Sequence, residues 1–180
     1  MKDKYRIKMI ALCGVFSAAE LVIIYLSSLT DMLDLAISSM TILFTIVLMA
    51  EYGKKPTFVV YAVVSLLCML ISARKFSPLC YIFFMGLYPV IKSFFDKPPK
   101  VLGYVLKLIY FNAAYMLLYV LVVHFAMLDD IFAIGSLMFY VTIVSANIAF
   151  LLCDYVITVM SQLYTRVLRK KFGFDRIFKK

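Results

Sequence analysis

The chain is a succession of apolar runs separated by short polar connections. Each run is about as long as the roughly 20 residues a helix needs to cross a hydrocarbon layer. In such a layer, a backbone can satisfy its own N–H and C=O groups only as a helix or a closed barrel. None of the runs alternates polar and apolar residues as a barrel strand does. The sequence therefore predicts an all-α, polytopic membrane protein with six transmembrane helices in one domain spanning residues 1–180. The runs lie at about 7–29, 33–50, 57–73, 76–95, 101–127 and 131–153, followed by a basic helical extension over 154–180 that projects from the membrane. With 180 residues, mean hydropathy +0.99 and only 16% charged residues, little chain is left for a separate soluble domain.

Charge orients the helices. The start "MKDKYRIK" carries four basic residues, "EYGKKP" two, "KSFFDKPPK" three and "RVLRKKFGFDRIFKK" seven. With six spans, all four segments fall on one side. The opposite side holds "SSLTDMLDL", "ARKFSP" and "MLDD", whose only basic residues are Arg74 and Lys75. Sixteen against two puts both termini in the cytoplasm by the positive-inside rule. The net charge of +9 is then spread along one membrane face and matches anionic lipid; it does not indicate nucleic acid. The first run has a basic start but no small-x-small cleavage site, so it reads as a retained anchor in a cell membrane, of bacterial type.

Motifs of enzyme chemistry are missing. There is no GxSxG, HExxH or P-loop, so neither a catalytic set nor a cofactor is expected. Cys13, Cys68, Cys80 and Cys153 lie in or near apolar runs without CxxC spacing, which fits packing and not a metal site. The lone His124, near one end of the fifth run, reads as an interfacial polar residue.

The remaining chemistry lies in polar groups at membrane depth, where ionisable side chains are costly and face a bundle interior or a wet cavity. Glu20 stands about 20 Å into the first run at about 1.5 Å per residue. It has no basic residue at its own depth. Two readings stay open: a carboxyl bonded to Ser or Tyr, or a cavity wall reached by Arg74 and Lys75 from the third connection. Lys107 and Asp154 are matched in depth, which predicts a structural ion pair. Asn112 and Asn147 are candidates for an interhelical hydrogen bond. Tyr104, Tyr115 and Tyr119 share one face of the fifth helix, either packing or contacting a flat ligand. Ala11, Gly14 and Ala18 form a small-xxx-small face that lets another helix approach closely. At about 100° per residue, Gly14 and Ala18 lie about 40° apart and Glu20 about 200° beyond Ala18, so the small face and the carboxylate point apart.

These features resemble the substrate-binding S components of energy-coupling factor vitamin transporters. The similarity is carried by "KMIALCGVFSAAELVIIYL" and by the lead-in Leu33, Asp34, Leu35 to the second run. "EYGKKPTFVV" stands where the family has a glycine turn, of which only Gly53 is kept, and "FFMGLYPVIKSFFDKPP" leads to a basic turn. The resemblance implies that Ala11, Gly14 and Ala18 dock to a transmembrane coupling subunit working with an ATPase pair. It implies a vitamin or similar small molecule in the outer half of the bundle, with Glu20, Arg74, Lys75, Tyr115 and Tyr119 as site residues. The alternative is a non-transporting scaffold subunit of an envelope or sporulation assembly. On either reading, a reporter fused after Lys180 is expected on the cytoplasmic side and one inserted in "MLDD" on the opposite side. The reverse result would sink the orientation.

Overall fold

The structure, a computed structural model, describes residues 2–30, 34–126 and 137–168. These residues are almost wholly helical, and six helices among them are long and apolar enough to cross a membrane. Helix α1 covers Lys2–Ser27, a short α2 Asp34–Ser39, α3 Thr41–Tyr52 and α4 Lys54–Ile71. Then follow α5 (Phe76–Cys80), a π-helical turn (Tyr81–Gly86) and α6 (Leu87–Phe95), which together make the fourth apolar span. Helix α7 covers Lys100–Ala126 and α8 Leu137–Leu163, and a second π turn runs over Tyr164–Leu168.

Local sequence explains the breaks. Gly53, at φ 81°, separates α3 from α4 in a conformation that favours glycine. Ser72 is extended (ψ 133°) and stops α4. Pro89 has no N–H to give to the carbonyl four residues back, and the π turn lies just upstream of it. No comparable break occurs at Asp154. The last helix passes straight through it, so the expected boundary between a span ending at 153 and an extension is not marked in the backbone. The "MLDD" connection and residues 169–180 lie outside the described residues.

The chain divides into two compact units, Met1–Ile91 with Ile157–Lys180, and Lys92–Val156. In the first, Ile24, Leu48, Val60, Val64, Cys68 and Tyr81 form a buried core, with Phe16, Leu21, Tyr61 and Met85 packed against it. Phe16 meets Phe44 edge-on at 5.2 Å, which ties α1 to α3. The buried hydroxyls of Ser27 and Ser38 join α1 to α2 at 2.8 Å.

In the second unit, α7 and α8 run antiparallel, and their contacts record the register. Lys107 meets Asp154, Phe111 stacks on Phe150 at 4.4 Å, Asn112 faces Asn147 and Tyr119 meets Phe139. Each step towards the C-terminus on α7 is matched by a similar step towards the N-terminus on α8.

Outward surfaces remain apolar. Ile7, Ile10, Val15, Leu66, Leu70, Val101, Leu152 and Tyr155 are all exposed. Proteins that live in water seldom leave so much apolar surface open, whereas lipid tails solvate it.

Glycine matters at one close approach. A Cβ on Gly103 would stand 2.6 Å from the Phe95 carbonyl oxygen, whereas one on Gly14 would meet nothing within 4 Å. Gly103→Ala is therefore expected to lower stability by about 1–3 kcal/mol through backbone displacement. Gly14→Ala should leave it unchanged or slightly raised, since Ala favours helix by about 1 kcal/mol. Thermal unfolding in detergent checks both. Equal midpoints for Gly103→Ala and the wild type would refute the close approach.

Candidate functional site

Two polar centres lie buried, one in each unit. The first is built on Glu20, which is 1% exposed. The Tyr81 hydroxyl donates to its Oε2 at 2.7 Å, and the Thr45 hydroxyl donates to Oε1 at 3.4 Å. One carboxyl group thus ties α1 to α3 and to the π turn. Tyr81 opens that turn, and the space its ring needs is left by Gly86, where a Cβ would stand 2.9 Å from Tyr81 Cζ and 2.6 Å from Tyr61 Cδ2. Tyr61 packs 6.1 Å from Tyr81, and its hydroxyl is held by the Ile82 carbonyl at 3.1 Å.

Arg74 and Lys75 do not reach this centre. Both are exposed on the connection after α4, and the Lys75 ammonium donates to the carbonyls of Met69 and Ser72 at 2.8 and 3.1 Å. Of the two readings left open for Glu20, the geometry matches the carboxyl bonded to hydroxyls.

The second centre is ionic. Asp154, on α8, lies between two buried lysines. Lys92 donates to its Oδ1 and, at 2.8 Å, to its backbone carbonyl; Lys107 lies 3.0 Å from its Oδ2. Lys107 also reaches Asp96 Oδ1 at 2.6 Å and sits over the Tyr104 ring at 5.5 Å. Asp96 has a side chain 49% exposed, so the chain of four charges runs from the interior to the surface.

Depth matching predicts the Lys107–Asp154 contact but not Lys92 or Asp96. "KSFFDKPPK" looks like a basic connection, yet Lys92 is on the last turn of α6 and points inward. The available signal is the i, i+4 spacing of Lys92 and Asp96, which sets the two on one helix face. Gly103 contributes by letting the Phe95–Asp96 backbone close on α7, one turn before Lys107.

Asn112 and Asn147 exchange amide hydrogen bonds at 2.9 and 3.2 Å, one turn further along α7. Tyr115 and Tyr119 are half-buried; their rings pack on Phe111 at 6.2 Å and on Phe139 at 5.5 Å. These contacts match the packing reading of the tyrosine face. The side chain of His124 lies outside the described residues. No group of three His, Cys, Asp or Glu side chains among the described residues is arranged to hold a metal.

Ala11, Gly14 and Ala18 are exposed along α1, on the side away from Glu20. No family, curated protein or solved structure matches this chain.

The two centres are expected to respond unequally to isosteric neutralisation. Glu20→Gln keeps one of two acceptors and should cost about 1–3 kcal/mol for the hydroxyl left unpaired. Asp154→Asn strands two buried ammonium groups and should cost about 3–5 kcal/mol. Thermal unfolding of both variants in detergent checks the order. If Glu20→Gln were the more damaging, the ionic centre would not hold the second unit together.

Proposed function

We propose that this chain is a multi-pass subunit of a cell membrane, with both termini in the cytoplasm, that works by docking laterally to a second membrane protein through α1. One observation carries the reading. Helix α1 has two unlike faces: Glu20, Ile24 and Phe16 face the core, while Ala11, Gly14 and Ala18 are uncovered on the other side. A small-residue face gains nothing from lipid, because Leu or Val would be equally soluble there. It does allow close helix–helix approach, where packing drives association in a membrane. The buried polar groups support the same reading, because their bonds are made to one another and leave the outward faces apolar.

A second reading, a substrate-binding subunit of an energy-coupling factor transporter, is favoured by where the small face occurs. It lies on the first helix, where the resemblance puts the contact with a coupling subunit. On this reading an ATPase pair and a coupling protein accompany the chain. The ligand would then have to be bound by groups other than the Glu20 carboxyl, whose two oxygens are engaged by hydroxyls.

Gly14→Leu is expected to leave thermal stability unchanged, since the position is open, and to reduce recovery of the native complex at least tenfold. Affinity purification from native membranes, with unfolding of the purified variant alongside, measures both. Unchanged recovery would exclude α1 as the docking face. The identity of the co-purifying protein, an ATPase-linked coupling subunit or an envelope component, separates the two readings.

A further inference from the structure

A groove of about 190 Å³ lies between α1 and α4, lined by Leu21, Val22, Tyr25, Cys68, Ile71 and Ser72. Its floor is sealed, with Cys68 at 1% and Ser72 at 3% exposed. Its rim is open, with Val22 and Ile71 more than half exposed. The lining is mostly carbon, with the polar groups of Tyr25, Cys68 and Ser72 among it. Ser72 Oγ is buried and has no hydrogen-bond partner.

That hydroxyl, like Ser65 Oγ on α4, differs from several others in this unit. Ser17, Ser28, Thr41 and Thr57 each donate back to a carbonyl three or four residues earlier. Ser72 Oγ makes no such bond. Its own N–H is bonded to the Cys68 carbonyl at 3.0 Å, and its carbonyl accepts from Lys75. Only the side-chain hydroxyl is left over, in the wall of an apolar groove. A buried donor of this kind is costly unless something accepts from it.

Size narrows the occupant. Small-molecule sites usually measure about 300–1,000 Å³. A volume of 190 Å³ is about six times the roughly 30 Å³ share of one water in the liquid, enough for a stretch of a few methylenes. Charge narrows it further. Arg74 and Lys75 are exposed two and three residues beyond Ser72. With successive Cα atoms about 3.8 Å apart, the Arg74 backbone lies within about 8 Å of Ser72. An occupant with an apolar chain, an acceptor near its end and an anionic group a few atoms beyond is an anionic glycerophospholipid.

We propose that this groove holds such a lipid. Its acyl chain lies along Leu21, Val22 and Cys68, its ester carbonyl accepts from Ser72 Oγ, and its phosphate rests against Arg74 and Lys75. The site lies near the C-terminal end of α1, beyond Ala18. It does not depend on a partner protein, so the purified chain alone tests it.

The probes are phosphatidylglycerol and phosphatidylcholine with identical acyl chains, added to the full-length chain in neutral detergent and counted by native mass spectrometry. Phosphatidylglycerol is expected to be retained at least fivefold over phosphatidylcholine. Ser72→Ala, which removes only an unpartnered hydroxyl, and Arg74→Gln should each lower that retention at least threefold. Val22→Trp, which fills the rim from its exposed side, should abolish it. Free glycerol phosphate should not displace the lipid; displacement would mean a simple phosphate site. Equal retention of the two lipids would overturn the proposal, and so would unchanged retention in Ser72→Ala.

Discussion

A charged or polar side chain within a hydrocarbon layer has no water to turn to, so the protein itself must supply its partner. In this chain buried polar groups join helices far apart in sequence. Glu20 and Tyr81 are 61 residues apart, and Lys92 and Asp154 are 62 apart. Apolar side chains could pack in many registers, because lipid tails solvate them nearly as well as another helix does. A buried acceptor with two directed donors removes that freedom. The helices must bring those atoms to within about 3 Å or leave a group stranded.

The two carboxylates meet the requirement differently. Glu20 is met by hydroxyls, and removing either donor leaves the group partly bonded. Asp154 is met by two ammonium groups, and Lys107 is shared onward with half-exposed Asp96. A buried pair of this kind is not in itself a source of stability, because desolvation opposes the Coulombic gain. Its effect is on uniqueness. With Asp154 held by Lys92 from α6 and Lys107 from α7, the register of α7 against α8 can slip only by breaking ion pairs. The Asn112–Asn147 exchange and the Phe111–Phe150 stack repeat that register one turn along.

This explains which parts could be read from sequence. Six apolar runs are a property of composition over about 20 residues, so five of the six helices appear within a few positions of where hydropathy puts them. The expected start of the sixth, at 131, lies outside the described residues. Lys107 and Asp154 could be paired because depth is a one-dimensional quantity counted from a span's edge. Lys92 could not, because it lies at the end of the 76–95 run and reads as the first residue of the basic connection "KSFFDKPPK", and nothing local reveals that its side chain turns inward. Tyr81 was hidden for another reason. The thirteen tyrosines look alike in sequence, and what selects this one is a π turn near Pro89 together with the space left by Gly86. Both are consequences of packing. Arg74 and Lys75 were linked to Glu20 as the only basic residues on the outer side, and charge count alone could not choose between them and the Ser or Tyr hydroxyls that the sequence also offered.

Helix α1 shows how the polar constraint reaches the surface. Because Glu20 must face Tyr81 and Thr45, the rotation of α1 about its axis is fixed. That rotation in turn fixes which residues look outward. Ala18 lies about 200° from Glu20, and Gly14 lies about 40° from Ala18, so a carboxylate facing the core leaves the small stripe uncovered. A rotation that buried the stripe in the chain's own core would turn Glu20 outward, away from Tyr81 and Thr45. The interior hydrogen bond and the outward face are two results of one orientation, and a residue with no surface exposure thereby determines what the surface offers to a neighbour.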